Sequence, residues 1–165
     1  MPFVARPADV AERVTGEPHA VAAANARAKA LAARAAGGEV VLGVDTIVTV
    51  DGEIFGKPEG PDAARAVLAR LGGRTHEVVG GVALARSGGA VEVATAATEV
   101  TFRALGDALL DWYVATGEWR ERAGGYAIQG RGAALVRRVE GDYLNVVGLP
   151  VATLLDLWPG LLNDT

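Results

Sequence analysis

The sequence predicts an α/β fold in which helices flank a mixed sheet, and three observations carry that expectation. Ala-rich stretches opened by proline and closed by glycine alternate with β-branched runs. Neighbouring runs meet across tight-turn signals, so the sheet contains hairpins and is not purely parallel. With 165 residues and 50% hydrophobic content the chain can bury one core, and it is read as a single domain over residues 1–165.

Three or four segments read as helices. Pro18 to Ala36 is Ala-rich, with Pro18 in a first turn and Gly37-Gly38 as a stop. Pro61 to Leu71 repeats the device, with Asp62 in the first turn and Gly72-Gly73 at the end. Asp107 to Thr116 stops at Gly117, and Leu149 to Trp158 stops at Pro159-Gly160. Val40 to Val50 is a strand, followed by the hairpin signal Asp51-Gly52 and the short strand Glu53-Ile54-Phe55. Glu77 to Arg86 and Ala90 to Phe102 form a second hairpin across Ser87-Gly88-Gly89. Ala133 to Val139 is a further strand, ending at Gly141-Asp142.

Composition narrows the function classes. No apolar run reaches the ~18–20 residues that span a bilayer, and Arg6 and Asp9 interrupt any apolar leader near Met1. No membrane partner is expected, and a cytoplasmic setting is. Cysteine is absent, which excludes disulfides, thiolate metal sites and cysteine nucleophiles. The net charge is −4 and the basic residues are scattered, which argues against nucleic acid as a partner. A small anion needs only a few cations in one cleft.

Along Val40–Val50, one face reads Val40, Leu42, Val44, Thr46, Val48 and Val50 and suits a core. The other carries Asp45 beside Gly43. A lone carboxylate in a buried strand costs several kcal/mol unless paired or bound to a metal. Asp45 therefore either faces cations at an opening in the fold or caps a neighbouring loop. In Phe55-Gly56-Lys57-Pro58, Gly56 allows a close backbone approach and Pro58 stiffens the corner. Lys57 there is either a phosphate contact or a solvated surface lysine. Lys29 lies about 200° around its helix from Arg27, on the side of Ala22 and Asn25, which can aim it into a cleft. Gly73-Arg74-Thr75-His76-Glu77 places several polar side chains at a strand entrance, either a site or an ordinary edge. A histidine in such a place is more often a structural residue, and His19 is too isolated for a zinc site.

Five stretches then occur in the order found in Maf proteins: Gly43-Val44-Asp45-Thr46, Gly56-Lys57-Pro58, Gly73-Arg74-Thr75-His76-Glu77-Val78, Ala123 to Gly130, and Glu140 to Pro150. The chain resembles that family over nearly its whole length. The resemblance implies a mixed twisted sheet with flanking helices and two lobes around a cleft, similar to the inosine triphosphate pyrophosphatase fold. It implies hydrolysis of nucleoside triphosphates to monophosphate and pyrophosphate with Mg²⁺ or Mn²⁺ as divalent metal. Asp45 matches the catalytic proton acceptor, and Lys29 and Lys57 match phosphate-contacting lysines. Arg74 is carried along as a further substrate contact. Glu12 matches an acidic residue that, with Asp45, holds the metal. The Asp-Thr pair and Ile-Gln-Gly resemble members preferring dTTP and UTP, with Thr46 and Gln129 as selecting positions; a glutamine amide offers both donor and acceptor to an imide edge.

Maf proteins also begin with a strand and a loop of the type Leu-Ala-Ser-x-Ser-Pro-Arg-Arg, which this chain lacks. Its start, Met1-Pro2-Phe3-Val4, looks like the family's second strand. The resemblance thus implies a sheet one strand short with exposed apolar surface. Either the native start lies upstream of an enzyme, which the retained Asp45, Lys57 and Gln129 favour, or the protein is a short, weakly catalytic relative. The competing function is a non-catalytic nucleotide-binding or regulatory protein linked to cell division. A homodimer is open, with Trp112, Tyr113, Trp119 and Trp158 as interface or, more safely, core residues.

Overall fold

The computed structural model describes residues 3–33, 39–86, 88 and 91–163. Five strands form one sheet in the order β2-β1-β3-β4-β5, with β1 Val41–Val50, β2 Glu53–Phe55, β3 Thr75–Ala85, β4 Val91–Phe102 and β5 Val136–Glu140. The expected helices on a sheet that is not purely parallel are present, and each of the four pairings described is antiparallel. Five helices flank it: α1 Pro18–Ala32, α2 Pro61–Leu71, α3 Asp107–Thr116, α4 Tyr143–Val147 and α5 Val151–Leu157. None of the described helices is long and apolar enough to cross a membrane.

Local chemistry explains most boundaries. Pro18 opens α1, and the Glu17 carboxylate caps it by accepting from the backbone N–H groups of His19 and Ala20 at 3.1 and 2.8 Å. Asp51 and Gly52 both take positive φ, 53° and 77°, as a tight two-residue hairpin requires. Asp51 and Gly52 thereby pair Val50 with Glu53. Gly117 closes α3 in the left-handed region at φ 73°.

Four expectations need correction. Phe3 and Val4 are exposed and belong to no strand; residues 3–14 carry no regular structure and are held by side-chain bonds, Arg6 to Glu39 and Asn25 to the Arg13 backbone. The last helix starts at Val151 and not at Leu149, because Pro150 occupies its N-cap outside helical geometry, at φ −72° and ψ 87°. Strand β5 starts at Val136 because Arg131–Leu135 first turns as a 3₁₀ helix. Helix α4 lies where the sequence predicts no helix, since its five residues, Tyr-Leu-Asn-Val-Val, are too few for a period and two are β-branched. The proposed stops at Gly37-Gly38 and the turn at Ser87 and Gly89 lie outside the described residues.

The two faces of the sheet bury differently. On one, α2 and α3 enclose Val48, Val50, Val78, Val100 and Phe102, and Tyr113 and Trp119 join this core. Trp112, in contrast, is exposed. Leu154 of α5 extends that face onto Val82 and Leu84. On the other face α1 lies against β1 and β3 through Ala22, Ala26 and Ala30, all fully buried. It sits so low that a Cβ on Gly43 would stand 2.2 Å from the Ala26 carbonyl oxygen, and one on Gly81 would stand 2.3 Å from that of Ala22. A side chain at either position would therefore push α1 off the sheet. Because β2 pairs only with Val48–Val50, the edge of β1 from Val41 to Ile47 has no strand partner among the described residues.

Candidate active site

A cleft of ≈ 470 Å³ opens along that unpartnered edge of β1. Its walls are α1 with residues 12–14 on one side, and residues 121–129 with the end of α4 on the other. Alternation along β1 sends Asp45 to the α1 face and Thr46 to the α4 face, so the two neighbours address opposite walls.

Asp45 is 6% exposed, and its burial is compensated from α1. Lys29 Nζ donates to Asp45 Oδ1 at 2.6 Å, and Asn25 Nδ2 donates to Asp45 Oδ2 at 3.0 Å. Asn25 and Lys29 are one turn apart on the helix, so both reach the same carboxylate. The same ammonium lies 2.7 Å from Glu12 Oε1, and Lys57 Nζ stands 3.8 Å from that oxygen. Burial works against the Lys29 charge, yet its hydrogen bonds to Asp45 and Glu12 outweigh it and raise the lysine above its ordinary value. The Lys29 hydrogen bond in turn holds Glu12 below the usual carboxylate range.

Residue 12 belongs to a segment without regular structure, and Asn25 fixes it. The Asn25 amide accepts the Arg13 backbone N–H at 2.8 Å and donates to the Arg13 carbonyl at 3.0 Å. One buried asparagine thus ties the Glu12 segment to α1 and orients Asp45. Sequence reading named Asn25 only as a neighbour; the available signal was a lone amide four residues before Lys29 on an alanine face. Arg13 and Arg122 line the cleft as well and were not singled out.

Lys57, Thr46 and Gln129 also line the cleft, so Glu12, Lys29, Asp45, Thr46, Lys57 and Gln129 share one space. Arg74 is not brought there. It is exposed beyond the β1–β2 turn and pairs with Asp51 at 2.5 Å, because it precedes β3 at the end of the sheet away from Asp45. Gly56 is not a close-approach glycine: a Cβ there would meet nothing within 4 Å. His76 is structural, as its setting suggested. It is buried against Phe102, its Nε2 lies 2.8 Å from the Tyr126 hydroxyl, and burial lowers it to about 4.

The wall facing Thr46 is set by α4. Asn145, fully buried, donates to the Val78 carbonyl at 2.9 Å and to Thr98 Oγ1 at 3.0 Å. This pins α4 to β3 and β4 and brings Val146, Val147 and Gly148 to the cleft.

Acidic and basic groups at one point, with room for a small molecule beyond them, suit an anionic substrate and a proton transfer. Residues 1–159 match the family model described as Maf-like protein. The dTTP/UTP pyrophosphatase of Anaeromyxobacter dehalogenans is 51% identical over 152 residues, 89% of this chain and 77% of that protein. That of Moorella thermoacetica is 45% identical over 161 residues, 95% and 83% of the two chains. That of Pyrococcus furiosus is 49% identical over 119 residues, 72% and 62%. The chain thus matches between 62% and 83% of the lengths of these three relatives. On the family model, the five motifs and these identities, this chain belongs to the Maf family.

Proposed function

We propose that this protein hydrolyses nucleoside triphosphates between the α and β phosphates, with dTTP and UTP as preferred substrates. The observation that carries the reading is the convergence of Asp45, Glu12, Lys29 and Lys57 at the β1 edge. The names of relatives sharing about half of the sequence support the substrate class.

In this reading the triphosphate lies along the open edge of β1. Lys57 and Lys29 neutralise the charge that grows on the departing pyrophosphate. A carboxylate oxygen of Asp45 orients the attacking water and accepts its proton. Asn25 holds the other oxygen so that the carboxylate keeps one orientation. Thr46 from β1 and Gln129 from the wall opposite α1 select the base, and Val146 to Gly148 supply its apolar contact.

A divalent cation fits this donor set. Glu12 Oε1 and Asp45 Oδ1 already converge on one ammonium at 2.7 and 2.6 Å. Two carboxylates completed by substrate phosphates are also a usual Mg²⁺ environment. Glu12 and Asp45 would hold the ion, which when bound would screen the triphosphate charge.

The test is to incubate the protein with dTTP, UTP, CTP, GTP and ATP with Mg²⁺ or Mn²⁺ and separate the products. Monophosphate and pyrophosphate from dTTP and UTP, abolished by EDTA and restored by Mn²⁺, are expected. Release of orthophosphate, or binding of nucleotide without turnover, would contradict the proposal; the latter would favour the regulatory reading.

A further inference from the structure

We infer that Tyr113 and Glu118 form a two-point clamp on the loop at residues 127–131, and that Glu118 is thereby a positioning residue for base selection. The inference rests on the reading of Gln129 as a base contact. Gln129 is exposed at the middle of this loop, on the rim of the cleft. One end of the loop is tied to the last turn of α3 and the other to the residues that follow it. At one end the Tyr113 hydroxyl accepts the Ala127 N–H at 3.0 Å; at the other, Glu118 Oε2 accepts the Arg131 N–H at 2.6 Å.

The two anchors are themselves set relative to each other. Thr116 Oγ1 donates to the Tyr113 carbonyl at 2.6 Å and accepts the Glu118 N–H at 3.1 Å. Gly130 makes room for the carboxylate, since a Cβ there would stand 2.4 Å from Glu118 Oε2. Within the loop the Gly130 N–H closes on the Ala127 carbonyl at 3.1 Å. The clamp therefore spans one tight turn whose crest is Gln129.

The chemistry explains why a clamp is needed. A glutamine amide carries a donor and an acceptor side by side. If its backbone can shift, it offers a matching pair to cytosine as readily as to uracil or thymine. Selectivity then depends on the place from which the amide reaches. An exposed loop with no anchor moves freely, and backbone N–H bonds to a carboxylate are among the stronger restraints available.

The experiment measures binding of α,β-imido-dUTP and α,β-imido-dCTP, in Mg²⁺ buffer, by titration calorimetry, with melting curves for every variant. Glu118→Ala is expected to lower the dUTP/dCTP affinity ratio roughly tenfold, and Tyr113→Phe to lower it in the same direction. Glu118→Gln, whose amide oxygen still accepts the Arg131 N–H, keeps the wild-type ratio. A merely structural role would lower melting temperature without moving the ratio. If Glu118→Ala does not fold, Tyr113→Phe, which removes a single hydroxyl, carries the test. Folded Glu118→Ala and Tyr113→Phe proteins at the wild-type ratio, beside a Gln129→Ala variant that loses it, overturn the clamp and leave Gln129 in place. A wild-type ratio in Gln129→Ala overturns both.

Discussion

Replacing Gly43 by alanine tests how the fold builds the site. The added methyl would sit 2.2 Å from the Ala26 carbonyl oxygen, 2.5 Å from Ala30 N and 2.8 Å from Ala30 Cβ. Both partners on Ala26 and Ala30 backbone are rigid, so α1 has to withdraw by roughly 1 Å to restore ordinary contact. Lys29 has a long stem and can follow Asp45 across that gap. Asn25 is short and cannot: its bond to Asp45 Oδ2 is already 3.0 Å and would pass beyond hydrogen-bonding range. Overpacking of this kind costs about 2 kcal/mol, which lowers the melting temperature of a chain this size by roughly 4–8 °C. A displacement near 1 Å in a catalytic group costs on the order of 100-fold in rate. Pyrophosphate release and thermal melting of Gly43→Ala are compared with Gly60→Ala, where a Cβ meets nothing within 4 Å. A Gly43→Ala protein with wild-type turnover and melting temperature would refute the claim that α1 is seated by this glycine.

Other outcomes follow from the same geometry. Asn25→Ala removes the bond to Asp45 and both bonds to the Arg13 backbone. It should cost about 1–3 kcal/mol and make the Arg13 bond more open to trypsin, followed by limited proteolysis. His76 stays neutral in the fold until about pH 4, while in the unfolded chain it protonates near 6.5. The unfolded state then binds more protons across this window, so stability falls on acidification, by roughly 3 kcal/mol at the lower end. Melting curves from pH 7.5 to 4.5 should show a steeper decline for wild type than for His76→Gln.

The sequence made much of this legible because its signals were local. Pro18 and Pro61 mark helix starts, Asp51-Gly52 marks a hairpin, and Gly117 marks a helix end, each through its own backbone chemistry. Asp45 stood out because a carboxylate in an apolar strand needs a partner, and Lys29 because its helix face was otherwise small and apolar. What was not legible depends on tertiary contact. The face of Leu42, Val44 and Thr46 read as core, but β2 is short and α4 stops at Gly148, so Leu42 is exposed and Val44 and Thr46 border the cleft. Helix α4 is held by Asn145 reaching β3 and β4, a contact no period reveals. Arg74 was carried by its motif, yet its partner Asp51 lies across a turn and draws it away from the cleft. Asn25 works through Arg13, twelve residues away in sequence, and gains its meaning only when both lie beside Asp45.

The central claim is that Asp45, buried and shared between Lys29 and Asn25, performs the proton transfer. Turnover of dTTP by wild type and Asp45→Asn, with melting curves for both, tests it most directly. The amide keeps the shape and can still accept one hydrogen bond, but it cannot take a proton from water. A folded Asp45→Asn protein whose kcat falls by about 10³-fold or more is the predicted result. A folded variant within a few-fold of wild type would contradict the account and place the chemistry on another residue of the cleft.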